Sequence, residues 1–151
     1  MDFEKRLINL EKFNNVGIVG LTNQLISFSV LNIYNNSNRN ILLVTNTLFE
    51  ANLIFSSLSK LTNNVNLFPM DDFLTSEALA ISPELMAIRL STLNNLCSSG
   101  KGIVITNLMG LLRYLPTKST WKQNNILIKK GLDISRDVLF NKLVNEQFEN
   151  G

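Results

Sequence analysis

The sequence contains no histidine and a single cysteine, Cys97, among 151 residues. Without histidine, the chain has no imidazole for acid–base catalysis or for binding a metal ion. One cysteine cannot form an internal disulfide, and this is typical of a protein kept in a reducing compartment. Cys97 lies within an apolar helical pattern, so we expect a small packed side chain there, with a reactive thiol as the alternative.

Long apolar runs and clustered charges are also missing. No apolar run approaches the ~18 residues of a membrane span, and the N-terminus carries both signs of charge, unlike a signal peptide. The formal net charge is +2 with scattered lysine and arginine, which does not indicate a nucleic-acid-binding surface. Hydrophobic residues make up 45% of the chain, enough for the core of one domain. We expect a cytoplasmic protein that makes no contact with a membrane.

Apolar runs of strand length alternate with helical patterns along most of the chain. Thr47 and Glu50 form a capping box, and Ser82-Pro83-Glu84 marks another helix start. This alternation predicts an α/β layered domain with a mainly parallel sheet. Strands are predicted at 16–20, 40–45, 65–69 and 102–106, and helices at 2–13, 23–34, 47–61, 82–98 and 107–115, with an irregular segment at 70–81.

The pattern changes near Lys122. Residues 126–131 alternate like a half-exposed strand, and residues 135–148 form an amphipathic helical pattern. We therefore predict a first domain at 1–122 and the start of a second, α+β domain at 123–151. The second part is too short to close a core, so the chain is expected to be a fragment of a longer protein. Trp121 is expected to pack between the two domains.

The turn "GLTNQLIS", from Gly20 to Ser27, partly matches the phosphate-binding pattern G-x-x-x-x-G-K-[ST]. Gly20 and Ser27 stand at the right spacing, between a predicted strand and a predicted helix. Leu25 replaces the second glycine, and Ile26 replaces the lysine that reaches the phosphates. These residues alone favour an ordinary strand-to-helix turn, and a decayed phosphate loop is the alternative.

Charged residues elsewhere form no catalytic or metal-binding pattern. Asp71, Asp72 and Glu77 have loop spacing, so a solvated loop is preferred to a metal site or an acid–base pair. Arg89 lies in an apolar helix, where a surface ion pair or a side chain reaching solvent is expected. A small basic cluster is more typical of a solvated face than of a phosphate contact; it consists of Lys129, Lys130 and Arg136.

A set of short motifs in the middle of the chain resembles bacterial transcription-repair coupling factors. None of these motifs is specific alone, but as an ordered set they are specific to the family. Two further segments, "LLVTNTLFEAN" and "KKGLDISRDVLFNKLV", extend the resemblance over nearly the whole chain. The motifs are F-P at 68–69, D-D-x-L at 71–74, E-A at 77–78, S-P-E at 82–84 and Arg89.

The resemblance implies a fold and changes the interpretation of the turn. The N-terminal region of this family is similar to the excision-repair protein UvrB, with a RecA-like, P-loop-NTPase-like domain. UvrB has a working phosphate loop, whereas the family's N-terminal copy has lost it. The turn at Gly20, with Leu25, Ile26 and Ser27, fits that degenerate copy. The resemblance thus implies no catalytic residue, no bound cofactor and no metal in this chain.

For the whole protein, the resemblance implies an ATP-driven translocase on double-stranded DNA that displaces stalled RNA polymerase and recruits UvrA. Its motor, with ATP and Mg²⁺, would lie beyond residue 151. This chain would be a non-enzymatic scaffold and recruitment module that also restrains the motor by packing against other modules. The candidate UvrA contact is Phe148 with Glu149, where the family often has an aromatic residue followed by arginine, and Glu149 departs from that pattern.

Two other interpretations stay open. The first is an enzyme class, a UvrB-type helicase-like damage-recognition subunit whose nucleotide site works. The second is a self-contained binding module unrelated to repair. Nucleotide binding would distinguish the first from a degenerate loop, and the downstream coding sequence would distinguish the second.

Overall fold

The computed structural model describes residues 15–72, 82–98 and 100–123, together with residues 135, 136 and 140. The chain divides into two compact units, Met1–Arg113 and Tyr114–Gly151. The first contains α1 (Asn23–Asn36), β1 (Ile41–Thr45), α2 (Leu48–Leu58), β2 (Val65–Phe68), α3 (Pro83–Ser98), β3 (Ile103–Asn107) and α4 (Leu108–Leu111), and the second contains α5 (Lys118–Gln123).

The three described strands form a parallel sheet in the order β1-β3-β2. Ile103 on the central strand pairs with Ile41 on one side and with Val65 on the other. Parallel neighbours cannot be joined by a tight hairpin, and here helices connect the strands. The chain is therefore an α/β protein with a parallel sheet, as the alternation of elements predicts.

One face of the sheet holds the core of the first unit. Ile103 and Ile105 on β3 are fully buried, and they pack in one cluster with residues of α1 and α2 such as Val30 and Leu58. Alternate residues of a strand point to opposite faces, so this single set of side chains covers one face only. The residues of the apolar strands that point to this face are buried because α2 packs on it.

The other face is covered by α3 at β2. Thr92 of α3 is buried, and its hydroxyl donates to the Leu67 carbonyl, while the Asn95 amide donates to the side-chain oxygen of Asn66 at 2.9 Å. Leu42 of β1, which points to this same face, is 57% exposed. Coverage of the second face is thus strongest at β2.

The predicted strand at 16–20 is wrong. Residues 15–22 form neither strand nor helix, and Val19 is 96% exposed. An apolar run of strand length becomes a strand only where it finds a neighbour to share its backbone hydrogen bonds, and sequence pattern alone cannot show that neighbour. The predicted strands at 40–45, 65–69 and 102–106 are confirmed within a residue or two.

The predicted helices at 23–34, 47–61 and 82–98 are also confirmed, with small shifts at their ends. The helix predicted at 107–115 is shorter, because it ends at Leu111. Helix α5 was not predicted; its signal is Thr117, whose hydroxyl accepts from the Thr120 amide at 3.2 Å, directly after Pro116.

Some predictions fall largely outside the described residues. These are the helix at 2–13, most of the irregular segment at 70–81 and the strand at 126–131. Of the helix at 135–148, the described Arg136 and Phe140 are helical. The domain boundary at 122 stays a prediction, as does the packing of Trp121 between domains. Within the described ranges, no helix is long and apolar enough to cross a membrane.

Candidate functional site

The Gly20–Ser27 turn leads directly into the first described helix. Gly20 has a φ of +80°, a left-handed conformation that glycine adopts without strain. Thr22 is the N-cap of α1: its hydroxyl accepts from the Leu25 amide at 3.3 Å, and its carbonyl accepts from the Ile26 amide at 2.9 Å. The Thr22 hydroxyl thus satisfies one of the amides that a helix start leaves without a backbone partner, and its carbonyl accepts the first i to i−4 bond of the helix.

The side chains at the three phosphate-loop positions point in different directions. Leu25 is 40% exposed, whereas Ile26 packs against the core cluster. Ser27 is only 1% exposed, and its hydroxyl donates to the Asn23 carbonyl at 3.1 Å. The structure therefore brings the predicted residues together on one helical turn without directing them at a common point.

A second polar group lies at the carboxyl end of the central strand. Asn107 is fully buried; its amide nitrogen donates to the Met70 carbonyl at 2.6 Å, and its side-chain oxygen accepts from the Met70 amide at 3.1 Å. The same amide nitrogen donates to the Asp72 carboxylate at 2.7 Å. Carboxyl ends of parallel strands are where ligands usually bind in α/β proteins. Here the side chain of Asn107 forms its hydrogen bonds with Met70 and Asp72 of the same chain.

Asp72 links this strand end to α2. Both of its carboxylate oxygens accept from the Leu48 amide at 2.9 Å, at the positive end of the helix. Thr47, the N-cap of α2, accepts from the Glu50 amide at 3.2 Å, which confirms one half of the predicted capping box. The carboxylate of Glu50 accepts from the Asn46 amide at 3.2 Å, one residue before the expected partner. Sequence reasoning placed Asp72 in a solvated loop and missed this capping role.

The ends of β1 and β2 are tied to the rest of the unit in the same way. The Thr45 hydroxyl donates to the Thr47 carbonyl at 2.8 Å, and the Thr106 hydroxyl donates to the Phe68 carbonyl at 2.7 Å. Arg89 of α3 donates to the Pro69 carbonyl at 3.1 Å. We call Thr45, Asp72, Arg89, Thr106 and Asn107 the strand-end network.

Arg89 is charged at neutral pH, so its guanidinium can donate to the Pro69 carbonyl. Burial lowers the pKa of its guanidinium from the ordinary value, and the charge of Arg113 lowers it further, while Asp71 opposes the shift. An arginine pKa starts so high that the group stays protonated at neutral pH. Arg89 was expected at the surface, and its contact with the Pro69 carbonyl could not be read from the sequence.

At the start of α3, the Leu85 amide donates to the Ser82 hydroxyl at 3.5 Å, which is the N-cap contact that the sequence predicts. The Ser82 hydroxyl donates to the Glu84 carboxylate at 2.6 Å, and this hydrogen bond lowers the pKa of Glu84. Pro83 is the first helical residue. Among the described residues, no group of three or more acidic, histidine or cysteine side chains is placed to hold a metal ion. Glu77 lies outside the described residues, and Cys97 is half-buried.

An open polar groove of about 340 Å³ lies at the opposite, amino-terminal end of the strands. Its basic residue, Lys101, donates to the Tyr34 carbonyl at 2.6 Å and lies 4.2 Å from the centre of the Tyr34 ring. This lysine is therefore committed to an internal contact. The other residues that line the groove are polar: Asn63, Asn64, Asn66, Asn95 and Ser98.

The proposed UvrA-contacting pair, Phe148 and Glu149, lies outside the described residues, as do Lys129 and Lys130. Arg136 is described and exposed. UvrA contact at this segment therefore stays a prediction.

The described elements define an α/β domain built on a parallel sheet. Its sequence is similar to several bacterial transcription-repair-coupling factors. That of Staphylococcus aureus strain bovine RF122 is 35% identical over 114 residues, or 74% of this chain. Those of Staphylococcus epidermidis strain RP62A and Bacillus subtilis strain 168 are each 32% identical over 87% of this chain. By sequence, the chain is therefore a relative of the transcription-repair-coupling factors, as its motifs indicate.

The chain spans only about a tenth of the length of these relatives, 10% of the first and 11% of the other two. No protein-family model matches the chain. No solved structure matches it either.

Proposed function

We propose that this chain is a catalytically silent, RecA-like domain in the N-terminal region of a transcription-repair coupling factor, with a degenerate phosphate loop. It acts in the cytoplasm as a scaffold and recruitment module, without a bound nucleotide or metal. The main support for the proposal is the turn at Gly20, where the amides of Leu25 and Ile26 donate to the hydroxyl and the carbonyl of Thr22. Those amides belong to the positions of the second glycine and the lysine in a working loop.

The strand-end network supports the same function. In an α/β enzyme, polar groups at the carboxyl ends of parallel strands face the substrate. Here Asn107 is fully buried and bonded to the Met70 backbone, and Asp72 caps α2. Groups used in this way stabilise the sheet and its connections, which is what a scaffold requires.

Calorimetry tests the loss of nucleotide binding. The 151-residue chain is titrated with ATP and Mg²⁺, beside a protein with a working phosphate loop as the positive control. We expect no heat of binding at micromolar nucleotide, because the turn has no lysine for the phosphates and its Leu25 and Ile26 amides are already bonded to Thr22. A clear isotherm would contradict the proposal and favour the alternative, a UvrB-type subunit with a working site.

In the complete protein, the proposal extends to its partners. The motor would use ATP and Mg²⁺ to move on DNA and displace stalled RNA polymerase, while this region packs against other modules and restrains it. Deleting residues 1–151 should then change the ATPase rate of the complete protein, and an unchanged rate would count against restraint. UvrA would dock on the second domain, and Glu149→Arg, beside Phe148, should strengthen that contact.

A further inference from the structure

The turn at Gly20 differs from a phosphate-binding loop in where its helix starts as well as in its charge. In a working loop, the residues between the two glycines are non-helical, so that their amides wrap the phosphates before the helix begins. Here α1 begins at Asn23, three residues before the lysine position at Ile26. Asn23 and Gln24, which would belong to the wrapping segment, are therefore already helical.

The amides at the two substituted positions are used by the helix. The Leu25 amide donates to the Thr22 hydroxyl, and the Ile26 amide donates to the Thr22 carbonyl at 2.9 Å. The second contact is the first regular i to i−4 bond of the helix. A phosphate could recruit the Ile26 amide only if the first turn of α1 were unwound, and the Leu25 amide only by displacing the Thr22 hydroxyl.

The side-chain directions follow from the same helix start. Ile26 lies one helical turn before Val30, which is in the buried core, and it packs against that core. The first carbons of a lysine side chain at position 26 would therefore point towards the apolar core. Ser27, the position that binds Mg²⁺ in a working loop, is 1% exposed and donates to Asn23.

We propose that the register of α1, fixed by the Thr22 cap, is a block on nucleotide binding in addition to the missing lysine. Restoring glycine at position 25 and lysine at position 26 then leaves the turn unable to hold a triphosphate. This inference rests on the proposed absence of nucleotide binding and extends it, because it attributes the absence to backbone geometry as well as to charge.

The first test compares Ile26→Lys with Gln24→Lys, which adds the same charge at an exposed position on the same turn. We expect Ile26→Lys to lower the melting temperature by at least about 5 °C more than the control, since it moves an ammonium towards the core. Failure of Ile26→Lys to fold is the extreme form of that result. Equal stability of the two variants would overturn the proposed geometry, because a phosphate loop directs this side chain outwards.

The second test titrates Leu25→Gly/Ile26→Lys with Mg-ATP at millimolar concentration. We expect no saturable binding, as with the unchanged chain and Gln24→Lys. Binding by the double variant alone would overturn this inference and leave the proposed function intact. Binding by the unchanged chain would instead overturn the proposed function, so the two failures are distinguishable.

Discussion

The Gly20–Ser27 turn and the strand-end network are both built from polar groups beside the sheet's helices, but they are held in different ways. In the turn, each hydrogen bond joins residues three or four positions apart, as from Leu25 to Thr22. In the network, Asn107 bonds to Met70 and Asp72, more than thirty positions away in the sequence. Local bonds can be rearranged by a few substitutions, whereas the network determines how separate elements meet. Under the proposed function, this contrast explains how the turn could lose phosphate binding while the fold persists.

The largest effect is expected at Asn107. In Asn107→Leu, the buried amide and carbonyl of Met70 would lose their partners, and Asp72 would lose a donor. We expect the free energy of unfolding to fall by about 3–5 kcal/mol, because buried backbone groups would stay unsatisfied. Denaturant unfolding followed by circular dichroism measures this. Asn36→Ala, at an exposed site, is the control, and an equal loss in both variants would contradict a special role for the network.

Gly110 tests how closely the network is packed. A Cβ at Gly110 would overlap the Thr106 hydroxyl and lie 3.1 Å from the Phe68 carbonyl. Gly110→Ala should therefore lower the free energy of unfolding by about 2–3 kcal/mol, because the added methyl group overpacks this site and the Thr106 hydrogen bond is lost. Thermal and denaturant unfolding measure this loss. Gly100→Ala, where an added Cβ meets nothing within 4 Å, should be close to neutral. Similar stability of the two variants would show that this end of the sheet is loosely packed.

Asp72 joins the network to α2. Asp72→Ala removes the carboxylate that accepts from Leu48 and Asn107, and we expect a loss of about 1–2 kcal/mol. Asp72→Asn keeps an acceptor but not the charge, so an intermediate loss is expected. Denaturant midpoints at low and high salt separate the charge from the hydrogen bonds, since screening weakens only the interaction with the helix dipole. No loss in the alanine variant would remove Asp72 from the network.

The smallest effect is expected in the turn. Thr22→Ala removes a side-chain cap with one hydrogen bond of 3.3 Å, so about 0.5–1 kcal/mol should be lost, with the fold retained. Thr47→Ala, which removes the matching cap of α2, is the control for an N-cap within the same unit. Thermal unfolding of both variants gives the comparison. A loss at Thr22 as large as that at Asn107 would break the distinction between the turn and the network.

Sequence pattern predicted the elements well where the pattern has a local cause. The capping residues Thr47 and Ser82 located the starts of α2 and α3, since a helix start is determined by its first few residues. The apolar run before Gly20 was predicted as a strand and is not one, because strand formation depends on a neighbour elsewhere in the chain. The sequence likewise shows which residues occupy the Gly20–Ser27 turn, but it does not show which of their side chains are buried and which are exposed.

The sequence by itself determined the α/β pattern, the parallel strands and the lack of a lysine at Ile26, since each depends on residue type and short spacing. Only the tertiary structure decided that Ile26 packs against the core, and that Asn107 and Asp72 bind the chain itself. These features depend on hydrogen bonds and packing between distant residues, whose geometry exists only after the sheet and helices have come together.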